Sequence, residues 1–165
     1  MFEKWRILAL AEESACAKGK RGELAPYYVI GYDVGRLNCT SEACVFRVSP
    51  APDNNAGSVK SLVNIYTYEN AHFEEQAINL KKLYYKYRHA VLVVDGNGLG
   101  AGLVDYLVKS QIDPETGETL VPFGIINDDD GNYKKYRTTD MEQNAVFIIK
   151  ANAPMNTEMY AFAQA

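Results

Sequence analysis

The sequence is poor in the residues that build disulfide frameworks and zinc sites. Its 165 residues include only three cysteines, at positions 16, 39 and 44, and two histidines. An odd number of cysteines without paired spacing is not the pattern of a disulfide scaffold or a zinc cluster. The sequence therefore predicts reduced thiols and a cytosolic setting.

Long apolar runs and an excess of positive charge are also missing. No run approaches the ~20 residues that a membrane helix needs, so no membrane association is predicted. The net charge of −4 argues against a globally basic nucleic-acid-binding protein. Contact with DNA would then need local basic patches, and acidic clusters near phosphate would need a metal ion. The absence of G-x-x-x-x-G-K-[ST] excludes a P-loop within these residues.

The apolar patterns that are present predict one α/β domain. The chain is 47% hydrophobic and 23% charged, which is ordinary for a folded domain of this length. Three sequential strands followed by strands that alternate with helices predict a mixed sheet with helices on both faces. The predicted elements are strands at 27–32, 43–48 and 59–68, a helix at 70–88, a strand at 90–94, a helix at about 99–109, and strands at 121–127 and 145–150.

Both ends of the chain carry further helical patterns. Residues 1–18 predict a helix with Trp5 and Leu8 on its apolar side, and a basic, glycine-bearing break follows at 18–22. Residues 1–24 are accordingly assigned to a helix and linker, and residues 25–165 to the main domain. The helix is either the tail of a preceding domain or a helix that packs on the sheet. A last helix begins near residue 156.

The chain is organised around the stretch HAVLVVDGNGLGAG, residues 89–102. A short apolar strand there ends on Asp95, and glycines follow at alternate positions. The first predicted strand ends in the same way, on Asp33, followed by Val-Gly-Arg36. Ligands of open α/β sheets bind outside the carboxyl ends of the strands. If these two strands are parallel neighbours, both carboxylates converge at one edge of the sheet.

Two converging carboxylates suit a pair of Mg²⁺ or Mn²⁺ ions, which prefer oxygen ligands. Two such ions ~4 Å apart clamp the attacking and leaving oxygens of a phosphodiester. The plain alternative is that Asp33 and Asp95 are turn or helix-cap residues. A second alternative reads Gly96, Gly98 and Ala101 as a dinucleotide fingerprint, although that motif normally follows the first strand of its unit.

The segments YYVIGYDVGR and VLVVDGNGLGAGLVDYLVK, with the predicted hairpin between them and the later VFIIKANAP, resemble the nuclease domain of large terminase subunits from tailed phages and prophages. The resemblance covers the chain from about residue 27 to its end. It implies an RNase H-like fold and a metal-dependent endonuclease that cuts concatemeric double-stranded DNA during packaging. It also implies a preceding ATPase domain, a small terminase subunit and a portal protein as partners, in the cytoplasm of an infected bacterial host.

By position, Asp33 and Asp95 match the first two metal-binding acids of that family. The third ligand of the family lies on a helix after the strand that contains Phe147, and no residue up to Ala165 matches it. The resemblance thus implies a domain truncated at its C-terminal end that cuts poorly alone. Glu74, at the start of the long helix, is a further candidate ligand because ribonuclease H has a glutamate in a similar place; its alternative role is to complement the helix dipole.

Basic residues supply the candidate DNA contacts. Lys134, Lys135 and Arg137 are interleaved with tyrosines in a polar segment, predicted as a hairpin tip, and Arg36 follows the first acid. The lysines at 81, 82 and 86 are placed on the outer face of the long helix. Two other functional classes stay open: a non-catalytic RNase H-like module that docks on DNA or portal protein, and a nucleotide-binding α/β domain.

Overall fold

The computed structural model describes residues 26–50, 58–88 and 90–150. The elements are β1 (Tyr27–Asp33), β2 (Thr40–Pro50), β3 (Ser58–Glu69), α1 (Phe73–Lys86), β4 (Val91–Asp95), α2 (Leu99–Leu107), β5 (Gln111–Ile112), β6 (Thr119–Leu120), β7 (Phe123–Ile125) and β8 (Glu142–Ile149), with a 3-10 helix at Lys134–Tyr136. Neither α1 nor α2 is long and apolar enough to cross a membrane. The helices predicted at 1–18 and from residue 156, and the domain boundary near residue 24, lie outside the described residues.

Six strands form one mixed sheet, in the order β3-β2-β1-β4-β8-β7. Strands β1, β2 and β3 are an antiparallel meander. Strand β4 pairs in parallel with β1 on one side and with β8 on the other, and β7 is parallel to β8. The predicted α/β class and the mixed sheet are confirmed. The two strands that end in aspartate are parallel neighbours, which is the condition under which their carboxylates converge.

The two helices cover one face of this sheet, here called the helix face. Alternate residues of the central strands, such as Ile30 and Leu92, are fully buried there and form one core with both helices. Residues on the opposite face, such as Val29 and Val91, are only half-buried. Within the described residues the predicted helices on both faces are therefore not confirmed, because α1 and α2 pack against each other on the same side.

Two segments have more structure than their polar sequences indicate. Strands β5 and β6 form a small two-stranded hairpin, and its turn is held by the Asp113 carboxylate, which accepts the Glu115 backbone N–H at 3.0 Å. The segment before β8 is not the predicted hairpin tip. It is a loop with a short 3-10 helix, anchored by Tyr133 and Tyr136 against the core. The core residues that receive these rings are remote in sequence, so the local pattern does not predict the loop.

Lys81 lies in the core, contrary to its predicted place on the outer face of α1. Its side chain is fully buried, its Nζ donates to the backbone carbonyl of Lys109 just beyond α2, and it lies 5.2 Å from the centroid of the Phe123 ring. The position is buried because the β5–β7 segment packs on that flank of α1. Burial lowers the pKa of the Lys81 amine to about 7.

The Lys81→Met variant should lose one pH dependence of the unfolding free energy. The pKa of Lys81 is about 7 in the folded protein and 10.5 in the ordinary lysine. Between these two pH values the unfolded chain binds more protons than the folded one. The free energy of unfolding therefore increases as the pH rises through this range. The slope is at most about 1.4 kcal/mol per pH unit. Urea unfolding between pH 6.5 and 9.5 should show this slope in the native sequence and not in Lys81→Met. The exposed Lys86→Met is the control and should retain it.

Candidate active site

Asp33 and Asp95 occupy matching positions at the ends of neighbouring parallel strands. The last paired residues before them are Tyr32 and Val94, so each aspartate follows one residue later. Neighbouring strands lie about 4.8 Å apart, and side chains alternate between the two faces. Both aspartates are exposed and lie on the face opposite the helices. The structure thus brings the two predicted acids together at the carboxyl edge of the sheet.

A third acid, Glu42, extends this pair into a row. Glu42 on β2 is the cross-strand partner of Asp33 and is exposed on the same face. No local pattern singles out Glu42, because the register between β1 and β2 depends on a connecting loop that does not specify it. Among the described residues, no group of three or more acidic, histidine or cysteine side chains is arranged to hold one metal ion.

The negative charge of this row acts on its neighbours. Burial raises the pKa of the Cys44 thiol, and the nearby charges of Glu42 and Asp33 raise it further. On the helix face, burial raises the pKa of Tyr32 to about 12, with smaller contributions from the charges of Asp33 and Glu75. Burial is the main cause of both pKa shifts, and the charge of Asp33 adds a smaller rise to each.

The turn after Asp33 is held by another residue. The Ser41 hydroxyl accepts the Gly35 backbone N–H at 3.0 Å and donates to the Gly35 carbonyl at 3.1 Å. Ser41 is almost fully buried, while Asp33 is exposed. The role of Asp33 as a turn former therefore has no support in these contacts.

Asp95 does have a turn role. Its Oδ1 accepts the backbone N–H of Asn97 at 3.0 Å, and the Asn97 carbonyl accepts the N–H of Gly100 in the first turn of α2. The turn role that was predicted as the alternative for Asp95 is therefore present in the structure. A carboxylate carries about four lone-pair sites, so one oxygen can hold the turn while the exposed side chain still binds a cation.

The glycines after Asp95 are needed for packing within the protein. A Cβ atom on Gly100 would overlap the backbone oxygen of Asp95, so the helix approaches the strand end too closely for a side chain. Gly98 has a φ of +54°, which a residue with a side chain rarely adopts. The Asp95 carboxylate also lies at the positive end of α2, where it would repel a pyrophosphate. The dinucleotide alternative is disfavoured on these grounds.

Gln76 is a site residue that sequence reasoning missed. This fully buried side chain accepts the Tyr32 hydroxyl at 2.9 Å and donates to the carbonyls of Gly35 at 2.9 Å and Ala71 at 2.8 Å. It ties the start of α1 to the end of β1 and the turn after Asp33. The sequence gives little indication that Gln76 is buried, because a glutamine beside the apolar side of a helix is usually a surface residue.

The Gln76→Leu variant should lose about 2 kcal/mol of unfolding free energy. Each lost hydrogen bond removes about 1 kcal/mol, and the Tyr32 hydroxyl remains buried without its acceptor. The Gly35 carbonyl keeps its bond from Ser41, which limits the loss. Denaturant unfolding measures the effect. Glu75→Leu, at the neighbouring exposed position, should change stability by no more than about 0.5 kcal/mol.

Glu74 lies elsewhere. It is exposed and lines a groove of about 560 Å³ between α1 and the β5–β6 hairpin, together with His72 and Asp113. Neither Asp33 nor Asp95 lines this groove. The structure therefore does not bring Glu74 to the acid pair, because its side chain points outward at the first turn of α1.

The predicted DNA contacts divide into two sets. Lys134, Lys135 and Arg137 are exposed around Tyr136, and Lys109 from the end of α2 joins them with its Nζ 5.8 Å from the Tyr136 ring centroid. Arg36 instead packs over the Phe73 ring, with its Cζ 4.9 Å from the centroid, and its Nε is buried without a hydrogen-bond partner among the described residues. Arg36 contributes to packing at the site more than to an open basic surface.

A cavity of about 350 Å³ lies beside the acid pair, at the carboxyl ends of β7 and β8. Its apolar wall includes Phe147 and Ile149, and its rim carries the acids 128–130. Ile149 is the cross-strand partner of Asp95, so the cavity and the acids share one edge of the sheet. Neither Asp33 nor Asp95 lines the cavity itself.

Comparisons of the chain with models of known protein families, with curated proteins and with solved structures found no match.

Proposed function

We propose that this chain is the metal-dependent endonuclease domain of a tailed-phage DNA-packaging terminase, with an RNase H-like fold. The observation that carries the proposal is the pairing of Asp33 and Asp95 on adjacent parallel strands, exposed on one face. The proposed reaction is hydrolysis of phosphodiester bonds in concatemeric double-stranded DNA. The proposed partners are an ATPase domain of the same protein, the small terminase subunit and the portal protein, in the cytoplasm of an infected bacterium.

The donor set supports Mg²⁺ or Mn²⁺ as the cofactor. Carboxylate oxygens suit both ions, and two adjacent carboxylates repel each other unless a cation neutralises them. When bound, such ions stabilise negative charge on the phosphate and activate water. Asp33 at the end of β1 would hold these ions together with Asp95, whose Oδ1 also accepts the Asn97 N–H of the following turn.

The sheet topology agrees with the RNase H-like part of the proposal. The antiparallel meander β1-β2-β3, followed by β4 and β8 added in parallel beside β1, places the strands in the order that an RNase H-like sheet requires. Sheet topology alone does not define a function. The proposal therefore rests on the acids, and the topology explains why they are neighbours.

The proposed test measures metal binding and cleavage together. Calorimetry with Mn²⁺ should detect binding that competes with Mg²⁺, and incubation with supercoiled plasmid and Mn²⁺ should give nicked and linear DNA. Cleavage by the isolated chain should be weak and should increase in a longer protein that supplies a third ligand. If a longer protein also fails to bind Mn²⁺, the endonuclease proposal is wrong and a non-catalytic docking module is favoured.

The basic residues around Tyr136 should bind DNA backbone. The combined variant Lys134→Ala, Lys135→Ala and Arg137→Ala should bind duplex DNA more weakly. The slope of the logarithm of the binding constant against the logarithm of the salt concentration should also become smaller, by about 0.9 for each phosphate that the variant no longer neutralises. Fluorescence anisotropy at several salt concentrations, with Ca²⁺ in place of Mn²⁺, measures both quantities. Lys60→Ala on β3 is the control, and an equal loss for each charge removed would indicate only a net-charge effect.

A further inference from the structure

The turn after β1 contains an arginine whose charge is not neutralised. Arg36 follows Asp33 by three residues and is half-buried. Its Nε is buried without a hydrogen-bond partner, and no carboxylate of the described residues forms an ion pair with it. A buried donor without a partner is costly, so a native protein that retains one needs an explanation. An anionic ligand would satisfy this charge.

The guanidinium of Arg36 is held in place by an aromatic ring. Its Cζ lies 4.9 Å from the centroid of the Phe73 ring, at the start of α1. The ring in turn packs against α2, where a Cβ atom on Gly102 would approach the ring Cε2 to 2.6 Å. Packing alone does not account for an arginine at this position. An aliphatic side chain such as Met would cover the ring without burying an unpaired donor.

The backbone before Arg36 is fixed on every side. The Ser41 hydroxyl binds both the N–H and the carbonyl of Gly35, and the same carbonyl accepts the Gln76 amide at 2.9 Å. A Cβ atom on Gly35 would overlap the carbonyl oxygen of Thr40, so no side chain fits there. Gly35 is therefore an anchored residue, and Arg36 extends directly from it.

The backbone after Arg36 is strained. Leu37 and Asn38 have φ values of +47° and +65°, which residues other than glycine rarely adopt. The Asn38 backbone N–H donates to Oδ1 of Asn70 at 2.9 Å and so helps to enforce this conformation. Strained backbone persists only where its surroundings determine it, and it is concentrated at functional sites. The turn is a rigid mount for one cationic side chain.

We propose that Arg36 binds one phosphate of the DNA backbone beside the acid pair and thereby positions the strand that is cut. A planar guanidinium presents its N–H groups as a fork that matches phosphate oxygens. Three residues of chain span at most about 11 Å, so Arg36 and metal ions on Asp33 can contact the same strand. That the phosphate belongs to DNA rests on the proposed function. The anion site itself rests on the contacts of Arg36.

Arg47 provides a matched comparison within the chain. It is also half-buried, and its Nε is also buried without a partner. It lies opposite Tyr28, near the amino end of β1, about 17 Å along the strand from Asp33. No aromatic ring of the described residues lies under its guanidinium, and β2 is not strained there. An unpaired Nε is thus common to both arginines, while the ring and the strained turn are particular to Arg36.

A titration with inorganic phosphate, without metal or DNA, tests the anion site in the native chain. In the ¹H–¹⁵N spectrum the side-chain Nε–H signal of Arg36 and the backbone signals of residues 35–38 should move in a saturable way. The Nε–H signal of Arg47 should not move, and sodium chloride at the same ionic strength should not reproduce the shifts. An unmoved Arg36 signal, or equal movement of both arginine signals, would overturn the proposal.

DNA binding by variants tests the source of the phosphate. With Ca²⁺ in place of Mn²⁺, Arg36→Met should bind duplex DNA at least about tenfold more weakly. Its slope of the logarithm of the binding constant against the logarithm of the salt concentration should be smaller by about 0.9, the value for one phosphate. Arg36→Lys should recover part of the affinity, and Arg47→Met should bind like the native chain. Equal losses in Arg36→Met and Arg47→Met would contradict the positioning role.

The two experiments separate this proposal from the nuclease proposal. If inorganic phosphate moves the Arg36 signal but a longer protein neither binds Mn²⁺ nor cuts DNA, the anion site stands and the nuclease proposal is wrong. If DNA is cut but phosphate leaves Arg36 unmoved, the nuclease proposal stands and the role of Arg36 is wrong.

Discussion

In a longer protein that supplies a third ligand, Asp33→Asn and Asp95→Asn should each reduce Mn²⁺-dependent cleavage by at least about 1,000-fold. Metal ions contribute several kcal/mol of transition-state stabilisation, and about 1.4 kcal/mol corresponds to a factor of ten in rate. Each substitution removes one negative charge and one anionic oxygen ligand from an exposed pair on adjacent strands. The size of the side chain is retained, so packing is not disturbed.

Thermal unfolding separates loss of the metal from loss of the fold. Without metal, each variant should be as stable as the native sequence or slightly more stable, because one of two neighbouring like charges is removed. With Mn²⁺ at 100 times its dissociation constant, the native chain should gain about 2.7 kcal/mol and the variants much less. Asp105→Asn, at an exposed position of α2, is the control and should retain both cleavage and metal stabilisation. Cleavage that survives in both site variants would contradict the proposed role of the pair.

Gly100→Ala should have the largest effect on stability, a loss of about 3 kcal/mol or more. The added methyl group would overlap the Asp95 backbone oxygen, and this neighbour is main chain that cannot rotate away. Overpacking a site that can adjust costs about 1–3 kcal/mol. Here either α2 or the end of β4 must move, and a displaced Asp95 should also weaken Mn²⁺ binding.

The effect of Gly100→Ala is measured by urea unfolding and by Mn²⁺ titration of the folded variant. Ala101→Leu, at the next and exposed helix position, adds more volume where nothing is crowded and should change stability by no more than about 0.5 kcal/mol. Equal losses in the two variants would show that α2 tolerates no added bulk anywhere. A loss confined to Gly100→Ala would place the constraint at the junction with β4.

The positions of Asp33 and Asp95 were predictable because each follows a short run of apolar or β-forming residues. Such runs predict strands, and an acid directly after one marks the strand end. The long helix was predictable too, because Ala77, Leu80 and Tyr84 recur at three- and four-residue steps in the sequence, and all three are buried. These features are encoded by local periodicity, which does not depend on what the elements pack against.

The burial of Lys81 and Gln76 was not predictable in this way. Both residues lie beside the apolar stripe of α1, and the β5–β7 segment and the turn after β1 bury them. A polar residue at such a position becomes a core residue only when a remote backbone carbonyl offers it a hydrogen bond. The same holds for Glu42, whose place beside Asp33 follows from strand register.

The sequence by itself determined the α/β class, the strand ends that carry Asp33 and Asp95, and the glycine turn into α2, since each depends on residues close together along the chain. Tertiary structure alone decided that β1 and β4 are parallel neighbours and that both acids share one face. Pairing of strands separated by more than fifty residues depends on how the intervening helix and meander pack, and local propensity contains no information about that packing.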